Sequence, residues 1–531
     1  MTPDRTRQFG FLQHAAALAA CLFCIDMAQA DALKLYTSAA SDTPIVTGEL
    51  LGFDGEFIRI GTSAGELTLD YAHLRCEGAD CPDHDHFVPT IRFSGAPQLG
   101  EVILAPLIEG FARDRDWAMA RVDSGPGVFT YSLQQRDGSA EIGQFSFHLT
   151  NSTEGLADLL ANEADIALTT RPLTATELAL ARDAGLGRLD APGRSDIIAL
   201  DAAVPVVAPD QPVRALSIED LAQVFSGEVT NWAAFGGDDA PITLHLGAET
   251  SGVAQGFIDM VLTASGRVLA PGVVRHATDA GLLAAIIADP NALGVLTFGS
   301  FGDAQPLILR GTCGLPAPLR ADTIRTQDYP LTLPLFIYRP MRRLPPLGAD
   351  FIAWLRTSEA QLILRRAGVL GQEAVPIPLD AQGDRFAAAI TAAGPDVTLG
   401  ELQRMVRVLR PQVRLSPTFR FDPGSTRLDA PSRSNLLHLA QTIRDGRYAG
   451  QSLMLVGFSD GRGPALANRD LSSARAEAVK RELLGVLGGA LPDTVKLETE
   501  AFGEALPMGC DDSLWGQQTN RRVELWVRSA L

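Results

Sequence analysis

An aspartate and an arginine near the C-terminus have the spacing and neighbours of a site for a small zwitterion. The stretch VGFSDGRGPALANRDLSSARAEAV, residues 456–479, places Asp460 on a glycine-rich turn and Arg475 further on, in a predicted helix. A carboxylate accepts hydrogen bonds from an ammonium group, and a guanidinium binds a carboxylate through two parallel hydrogen bonds. The pair therefore predicts a site that holds both ends of an amino acid. The alternative is that Asp460 and Arg475 form a structural ion pair.

Cysteines are the second set of residues with chemistry. RCEGADC closes a short loop and predicts a disulfide between Cys76 and Cys81, because exported thiols oxidise. His84 and His86 follow, so a Cys/Cys/His/His metal site is the alternative; it ranks lower and we expect no metal. Two more cysteines can pair only if the domains that carry them touch: Cys313 and Cys510.

Motifs of common enzyme classes are missing from the sequence. There is no Gly-x-Ser-x-Gly, no His-Glu-x-x-His and no Gly-x-x-x-x-Gly-Lys phosphate loop. A lone serine near an aspartate does not make a catalytic site. We therefore expect a binding or structural protein without a cofactor, and not an enzyme.

The N-terminus has the composition of an export signal. Arg5 and Arg7 precede an apolar run that ends in Ala-Gln-Ala at residues 28–30, which predicts a signal peptide over residues 1–30. The alternative is a lipoprotein cleaved before Cys21, since Leu-Ala-Ala-Cys also fits a lipidation motif. The apolar run continues beyond Cys21, which favours the signal peptide. No later apolar stretch is long enough to span a membrane.

Length, charge and patterning predict several domains of a multidomain α/β protein. The 531 residues are 46% hydrophobic, enough for more than one core, and the net charge of -18 argues against nucleic acid as a partner. Residues 31–87 alternate apolar and polar and predict a small β module, whereas strand and helix periods alternate afterwards and predict mostly parallel strands. The remaining segments are a two-lobed α/β domain, a helical linker and an α/β sandwich: 88–371, 372–410 and 411–531.

The last segment resembles the OmpA-like peptidoglycan-binding domain. FDPGSTRLD, GFSDGRG, NRDLSSARAEAV and NRRVE follow in that family's order and spacing across nearly the whole segment. The resemblance implies that Asp460 and Arg475 bind the diaminopimelate of the peptidoglycan stem, with Asn468 and Arg522 as further contacts. It also implies a periplasmic, peptidoglycan-associated location on the outer-membrane side of a Gram-negative envelope. Phe458 and Ser459 stand where the family has His and Thr.

The middle segment resembles the periplasmic phosphate-binding (PstS-like) proteins of ABC importers, with a type 2 two-lobed fold. The similarity lies in SGAPQLGEVILAPLIEGF, NSTEGLADLLANEADIALTTRPLTATE, LAQVFSGEVTNWAAFGG and ETSGVAQGF. Several anion donors of the family are replaced, by Ala96, Gln98, Gly247 and Val253. The remaining candidates for binding a small anion such as phosphate are six: Ser152, Gly155, Thr170, Arg171, Ser251 and Gly252. Each also has an ordinary structural explanation, as a helix cap or an ion-pair partner.

Two functions follow as hypotheses. In the first, an exported protein binds peptidoglycan through its last domain and presents a solute-binding domain for a small anion. In the second, the two-lobed domain has lost its ligand and, with the β module, contacts another envelope protein.

Overall fold

The computed structural model describes residues 32–37, 42–84, 86–394, 396–422 and 425–528. It divides into two compact units at the junction of Phe87 and Val88. The predicted signal peptide and Cys21 lie outside the described residues. Within the described ranges, no helix is both long and apolar enough to cross a membrane.

The first unit is a five-stranded antiparallel sheet in the order β4-β3-β2-β1-β5. Two hairpins form where the sequence places Asp54-Gly55 and Ala64-Gly65, and alternate residues of the strands bury a small core of leucine and isoleucine. Cys76 and Cys81 form a disulfide with an S–S distance of 1.94 Å, so neither sulfur is free to act as a thiolate ligand. The strands are β1 (Leu33–Tyr36), β2 (Val46–Phe53), β3 (Phe57–Thr62), β4 (Gly65–Asp70) and β5 (Arg75–Glu77).

Residues 88–371 form two α/β lobes, which we call the two-lobed region. Its elements, in chain order, are β6 (Thr90–Gly95), α1 (Ala105–Asp114), β7 (Trp117–Gly125), β8 (Val128–Gln135), β9 (Glu141–Leu149), α2 (Ser152–Leu160), β10 (Ile166–Thr169), α3 (Ala175–Asp183), β11 (Ser195–Val207), β12 (Ala215–Leu216), α4 (Ile218–Phe225), β13 (Thr243–Gly247), α5 (Gly252–Phe257), β14 (Val274–His276), α6 (Asp279–Ala288), β15 (Ala292–Thr297), β16 (Gln305–Pro306), β17 (Ile308–Arg310), β18 (Pro316–Ala317), α7 (Ala321–Arg325), β19 (Thr332–Tyr338), α8 (Pro346–Trp354) and α9 (Ser358–Arg366). Short π-helical turns flank α1 and α5, at Gln98–Leu104 and Ile258–Leu262.

Two long strands run through both lobes. β11 and β19 pair antiparallel, from Ser195 opposite Tyr338 to Ala202 opposite Thr332. The sheet order is β14-β13-β15-β11-β19-β10-β6-β9-β8-β7, so the chain crosses between the lobes twice. The prediction of mostly parallel strands is wrong for this sheet, because the crossing strands and the β7–β9 meander pair antiparallel. The apolar residues of these strands indicate that both faces of the sheet are buried, but they do not indicate whether neighbouring strands run parallel or antiparallel.

Residues 372–528 form a second α/β layered structure, which we call the C-terminal region. Its sheet has the order β20-β21-β24-β22-β23. The elements are β20 (Pro376–Ile377), α10 (Gly383–Ala392), α11 (Leu399–Leu409), β21 (Val413–Arg420), α12 (Ala430–Arg444), β22 (Ser452–Gly457), α13 (Ala465–Val486), β23 (Lys496–Ala501), α14 (Leu514–Asn520) and β24 (Arg522–Arg528).

Helices cover both faces of this sheet. α12 and α13 pack on the face that carries Leu453 and Leu455, and α10 and α11 pack on the face that carries Met454 and Trp526. The stretch 372–410, predicted as a helical linker, is helical but also supplies a strand and part of this core. Its amphipathic period buries Leu402, Met405 and Leu409 on one stripe. The four predicted domain boundaries stay a prediction.

The two-lobed and C-terminal regions are in contact. α12 packs against β11, where the Ile197 N–H donates to Ser434 Oγ over 3.2 Å. Cys313 and Cys510 form a disulfide between the two regions. The condition stated for this pairing, that the two domains touch, is therefore met.

Candidate functional site

The zwitterion site is built where β22 ends against α13. A Cβ atom at Gly457 would lie 2.0 Å from Ser472 O, so glycine allows the helix to pack directly on the strand end. Ser472 is fully buried and accepts a hydrogen bond from the Gly503 N–H. This close packing fixes the turn after β22 relative to the face of α13 that carries Asn468 and Arg475.

Asp460 lies on that turn and is 7% exposed. Its Oδ2 is 3.4 Å from Arg521 Nε, and the next residue, Gly461, donates its N–H to Asp511 Oδ2 over 2.7 Å. Asp511 also accepts a hydrogen bond from Asn520. The carboxylate of Asp460 is thus held on a braced turn beside one guanidinium.

Arg475 is 6% exposed, yet its Nε and Nη1 atoms have no hydrogen-bond partner. Its guanidinium carbon lies 5.6 Å from the ring centroid of Phe421. Burial lowers the pKa of Arg475, with a smaller lowering from the nearby Arg521 cation, while Asp460 acts in the opposite direction. No ion pair joins Asp460 and Arg475 within the described residues, so the structural ion pair considered as an alternative is not what the structure shows.

The other two predicted contacts have different surroundings. Asn468 is buried on the same face of α13 and donates to the Glu504 carboxylate. Arg522 is fully buried and donates to Glu524 Oε1 over 2.8 Å and to Leu506 O over 3.0 Å. Arg522 therefore belongs to an internal ion network, and its neighbour Arg521 lies beside Asp460 instead. Adjacent residues at the start of a strand point to opposite faces of the sheet, and this alternation could have distinguished Arg521 from Arg522 in the sequence.

An unpaired, buried guanidinium and a fixed carboxylate make a receptor for a zwitterion. The free N–H groups of Arg475 match a carboxylate, and a buried donor without a partner costs about 1–3 kcal/mol, which a bound carboxylate would recover. Asp460 supplies acceptors for an ammonium group.

The second candidate site is a cleft of 390 Å³ between the lobes. Of the six predicted residues, only Ser251 and Gly252 line it. Ser251 caps α5, accepting a hydrogen bond from the Ala254 N–H over 3.4 Å. A Cβ atom at Gly252 would lie 2.5 Å from Thr170 Cγ2, so this glycine is the point where one lobe meets the other.

Three more predicted residues do not line the cleft and make packing contacts instead. Ser152 is buried, and its Oγ accepts a hydrogen bond from the Thr170 N–H over 3.1 Å; Asn151, not Ser152, caps α2. Thr170 Oγ1 donates to Gly252 O over 3.4 Å. A Cβ atom at Gly155 would lie 2.6 Å from Ser94 O, so α2 packs directly on β6.

The sixth residue, Arg171, is neutralised by carboxylates. Its Nη1 and Nη2 donate to the two oxygens of Glu177 over 2.8 and 2.7 Å, and its Nε is 3.2 Å from Asp259 Oδ2. It lines a groove next to the C-terminal region and not the cleft. The hydrogen bonds that Arg171 donates to Glu177 raise the pKa of Arg171 above its usual value. The structure therefore separates Arg171 from Ser251 and Gly252.

The cleft is lined by two acidic residues. Asp201 and Asp279 line it, and within the described residues no lysine or arginine does. Asp201 accepts hydrogen bonds from Gln98 Nε2 over 2.7 Å and from the Phe298 N–H over 3.1 Å. Burial nevertheless raises its pKa. Arg275 lies behind the wall and donates to Gly247 O over 2.9 Å.

Comparisons with known proteins identify both regions. Residues 144–359 match the PBP superfamily domain, and residues 420–521 match the OmpA family. The chain joins a PBP superfamily domain to an OmpA family domain. The two resemblances noted in the sequence are thereby confirmed, as is the multidomain α/β fold.

Relatives match one domain each. The phosphate-binding protein PstS of Bacillus subtilis (strain 168) is 27% identical over 179 residues, which are 33% of this chain and 57% of PstS. The peptidoglycan-associated lipoprotein of Pseudomonas aeruginosa is 36% identical over 115 residues, 21% of this chain and 63% of that protein. The chain therefore spans less than two thirds of the length of either relative. The crystal structure of an ABC-type phosphate transport receptor from Vibrio cholerae covers 53% of this chain and 99% of its own, with 21% identity and a TM-score of 0.41.

Proposed function

We propose that this protein is an exported envelope protein that binds peptidoglycan non-covalently through its OmpA domain. The observation that carries the proposal is the buried guanidinium of Arg475, whose Nε and Nη1 lack partners beside the fixed carboxylate of Asp460. Diaminopimelate in a peptide stem offers a free carboxylate and a free ammonium on one carbon, the two groups that this pair complements. The name of the Pseudomonas relative supports peptidoglycan as the ligand.

The site residues keep different roles in this proposal. Asp460 accepts from the ammonium, and Arg475 donates to the carboxylate. Arg521 orients Asp460, because its Nε lies 3.4 Å from Asp460 Oδ2. Asn468 borders the site and donates a hydrogen bond to Glu504. Arg522 acts only through the internal network, because its guanidinium is fully occupied there.

Retention on purified sacculi tests the peptidoglycan site. Asp460→Ala and Arg475→Ala should each reduce retention tenfold or more, since a hydrogen bond to a charged group contributes about 1.5–3 kcal/mol. Asp470→Ala and Arg481→Ala are matched controls, because both residues are exposed on α13, and they should bind like the parent. Parental retention of either Asp460→Ala or Arg475→Ala, with the protein folded, contradicts the proposal.

For the PBP domain we propose that the cleft has lost phosphate binding and that the domain is an envelope scaffold. A phosphate dianion would meet Asp201 and Asp279 in a cleft that is lined by His276 but by no lysine or arginine of the described residues. A carboxylate at close range repels a phosphate dianion, and a helix N-terminus contributes only about 0.3–1 kcal/mol to anion binding. Arg171, the cation that the sequence offered, is held by Glu177 and Asp259.

Calorimetric titration of the full-length protein with phosphate separates the scaffold from the solute receptor. We expect no binding heat and no thermal shift up to about 1 mM phosphate, where affinity would correspond to about 4 kcal/mol. Micromolar affinity would instead show that the first hypothesis, a peptidoglycan-bound receptor for a small anion, is correct.

Both proposals describe binding without chemical turnover. The PBP and OmpA families matched by this chain are families of binding domains. Incubation with purified peptidoglycan should therefore leave its stem peptides intact, and released fragments would contradict a purely binding role.

A further inference from the structure

A third cavity lies between the two-lobed region and the C-terminal region. It has a volume of 280 Å³ and shares no lining residue with the interlobe cleft. Ile308 and Leu315 line it from the two-lobed region, and Ile377, Ala388 and Met508 line it from the C-terminal region. Its size is near the lower end of small-ligand pockets, and mostly apolar lining is usual for them.

Charged side chains form the floor of this pocket. Arg385, Arg414 and Asp328 line it and continue into a buried ion network. The network joins four guanidinium groups to two carboxylates: Arg385, Arg414, Arg420 and Arg522 with Asp328 and Glu524. An arginine stays protonated in proteins, so the buried groups carry two positive charges more than the carboxylates balance.

The rim of the pocket does not supply the missing negative charge. Arg320 binds Asp322 through two hydrogen bonds of 2.9 Å, so this pair is neutral. Asp384 is an exposed carboxylate at the edge, where water screens it. A buried charge without a partner is costly, and an anion in the pocket would reduce that cost.

Two arginines that line the pocket each have an Nε donor without a good acceptor. Arg414 is 2% exposed, and its Nε makes no hydrogen bond; the nearest carboxylate oxygen is Glu524 Oε2, 3.5 Å away. Arg385 Nε meets only the thioether of Met508 at 3.0 Å, and sulfur is a weak acceptor. Burial lowers the pKa of Arg385 to about 10, so it remains charged at neutral pH.

We propose that this pocket binds an amphipathic anion, a carboxylate or phosphate monoester with a short alkyl tail. The head group accepts hydrogen bonds from Arg385 and Arg414, and the tail lies against the apolar walls from both regions. Because the pocket is built from both regions, its occupant stabilises their contact, by an amount that grows with ligand concentration. This inference is independent of the peptidoglycan site and of the interlobe cleft.

Binding of octanoate to the full-length protein tests the proposal. We expect calorimetric binding heat and a rise in Tm with octanoate or octyl phosphate, and neither with octanamide or octylamine. The tighter of the two anions identifies the head group. Absence of binding by both anions at millimolar concentration, or equal binding of octanamide, overturns the proposal.

Substitutions on α10 locate the site without disturbing the buried network. Ala388→Phe places a ring in the pocket and should weaken the binding of the favoured anion at least tenfold. Ala387→Phe is the matched control, since Ala387 is exposed on the same helix, and it should bind like the parent. If Ala388→Phe binds the anion as tightly as the parent, the site lies elsewhere and the proposal is wrong.

Discussion

At the scale of single residues, the zwitterion site depends on the missing Cβ atom of Gly457 as well as on the hydrogen-bond donors of Arg475. Gly457 has no Cβ, and the carbonyl of Ser472 occupies the space where one would lie. The Nε and Nη1 atoms of Arg475 have no hydrogen-bond partner among the described residues. The sequence shows only that a glycine and an arginine stand at these motif positions. It does not show which atoms of other elements they contact.

We predict that Gly457→Ala destabilises the protein and that Gly485→Ala does not. An added Cβ at Gly457 would lie 2.0 Å from a backbone oxygen and should lower the free energy of unfolding by about 1–3 kcal/mol. Gly485 lies in α13 with nothing within 4 Å of an added Cβ, so alanine there should be neutral or stabilise by up to about 1 kcal/mol. Denaturant unfolding measures both, and an equal effect of the two variants would contradict the packing described.

At the scale of elements, the helices α10 to α13 decide how the C-terminal region is held. α11 buries one stripe of leucine and methionine under the sheet, and α12 contacts both its own sheet and β11 of the two-lobed region. The sequence predicted these helices from their periods. The sequence predicted α10 and α11 as a linker, because an amphipathic pattern does not identify the surface against which a helix packs.

We predict acid destabilisation from His438, which lies on α12 near Arg356 and Asp196. Burial, and next the Arg356 cation, lower its pKa to about 4, against about 6.5 when unfolded. A lowered histidine pKa adds stability above pH 6.5, and this is lost as pH falls from 6.5 toward 4. Between pH 7 and 5 the parent should lose about 2 kcal/mol more unfolding free energy than His438→Gln. Identical pH profiles in urea unfolding would show that His438 does not titrate in this way.

At the scale of the whole described molecule, a buried ion network and a disulfide join the PBP and OmpA domains. Asp328 of the two-lobed region accepts from Arg414 over 3.1 Å and from Arg420 over 2.8 Å, both on β21. Cys313 and Cys510 add a covalent link, and Cys510 directly precedes Asp511, which braces the turn of Asp460. The turn that carries Asp460 is therefore linked to the two-lobed region through Asp511 and the Cys313–Cys510 disulfide.

The sequence by itself predicted the domain families, a small N-terminal β module and the residue types of the zwitterion site. These follow from local motifs and periods, which depend on neighbours along the chain. Only the tertiary structure decided that Arg521 and not Arg522 lies beside Asp460, that Arg171 is neutralised, and that the excess of buried arginine lines a pocket between regions. Each of these depends on the partner that folding brings from a distant part of the chain. Charge balance and burial depend on the tertiary environment of each group, so no local sequence pattern could predict them.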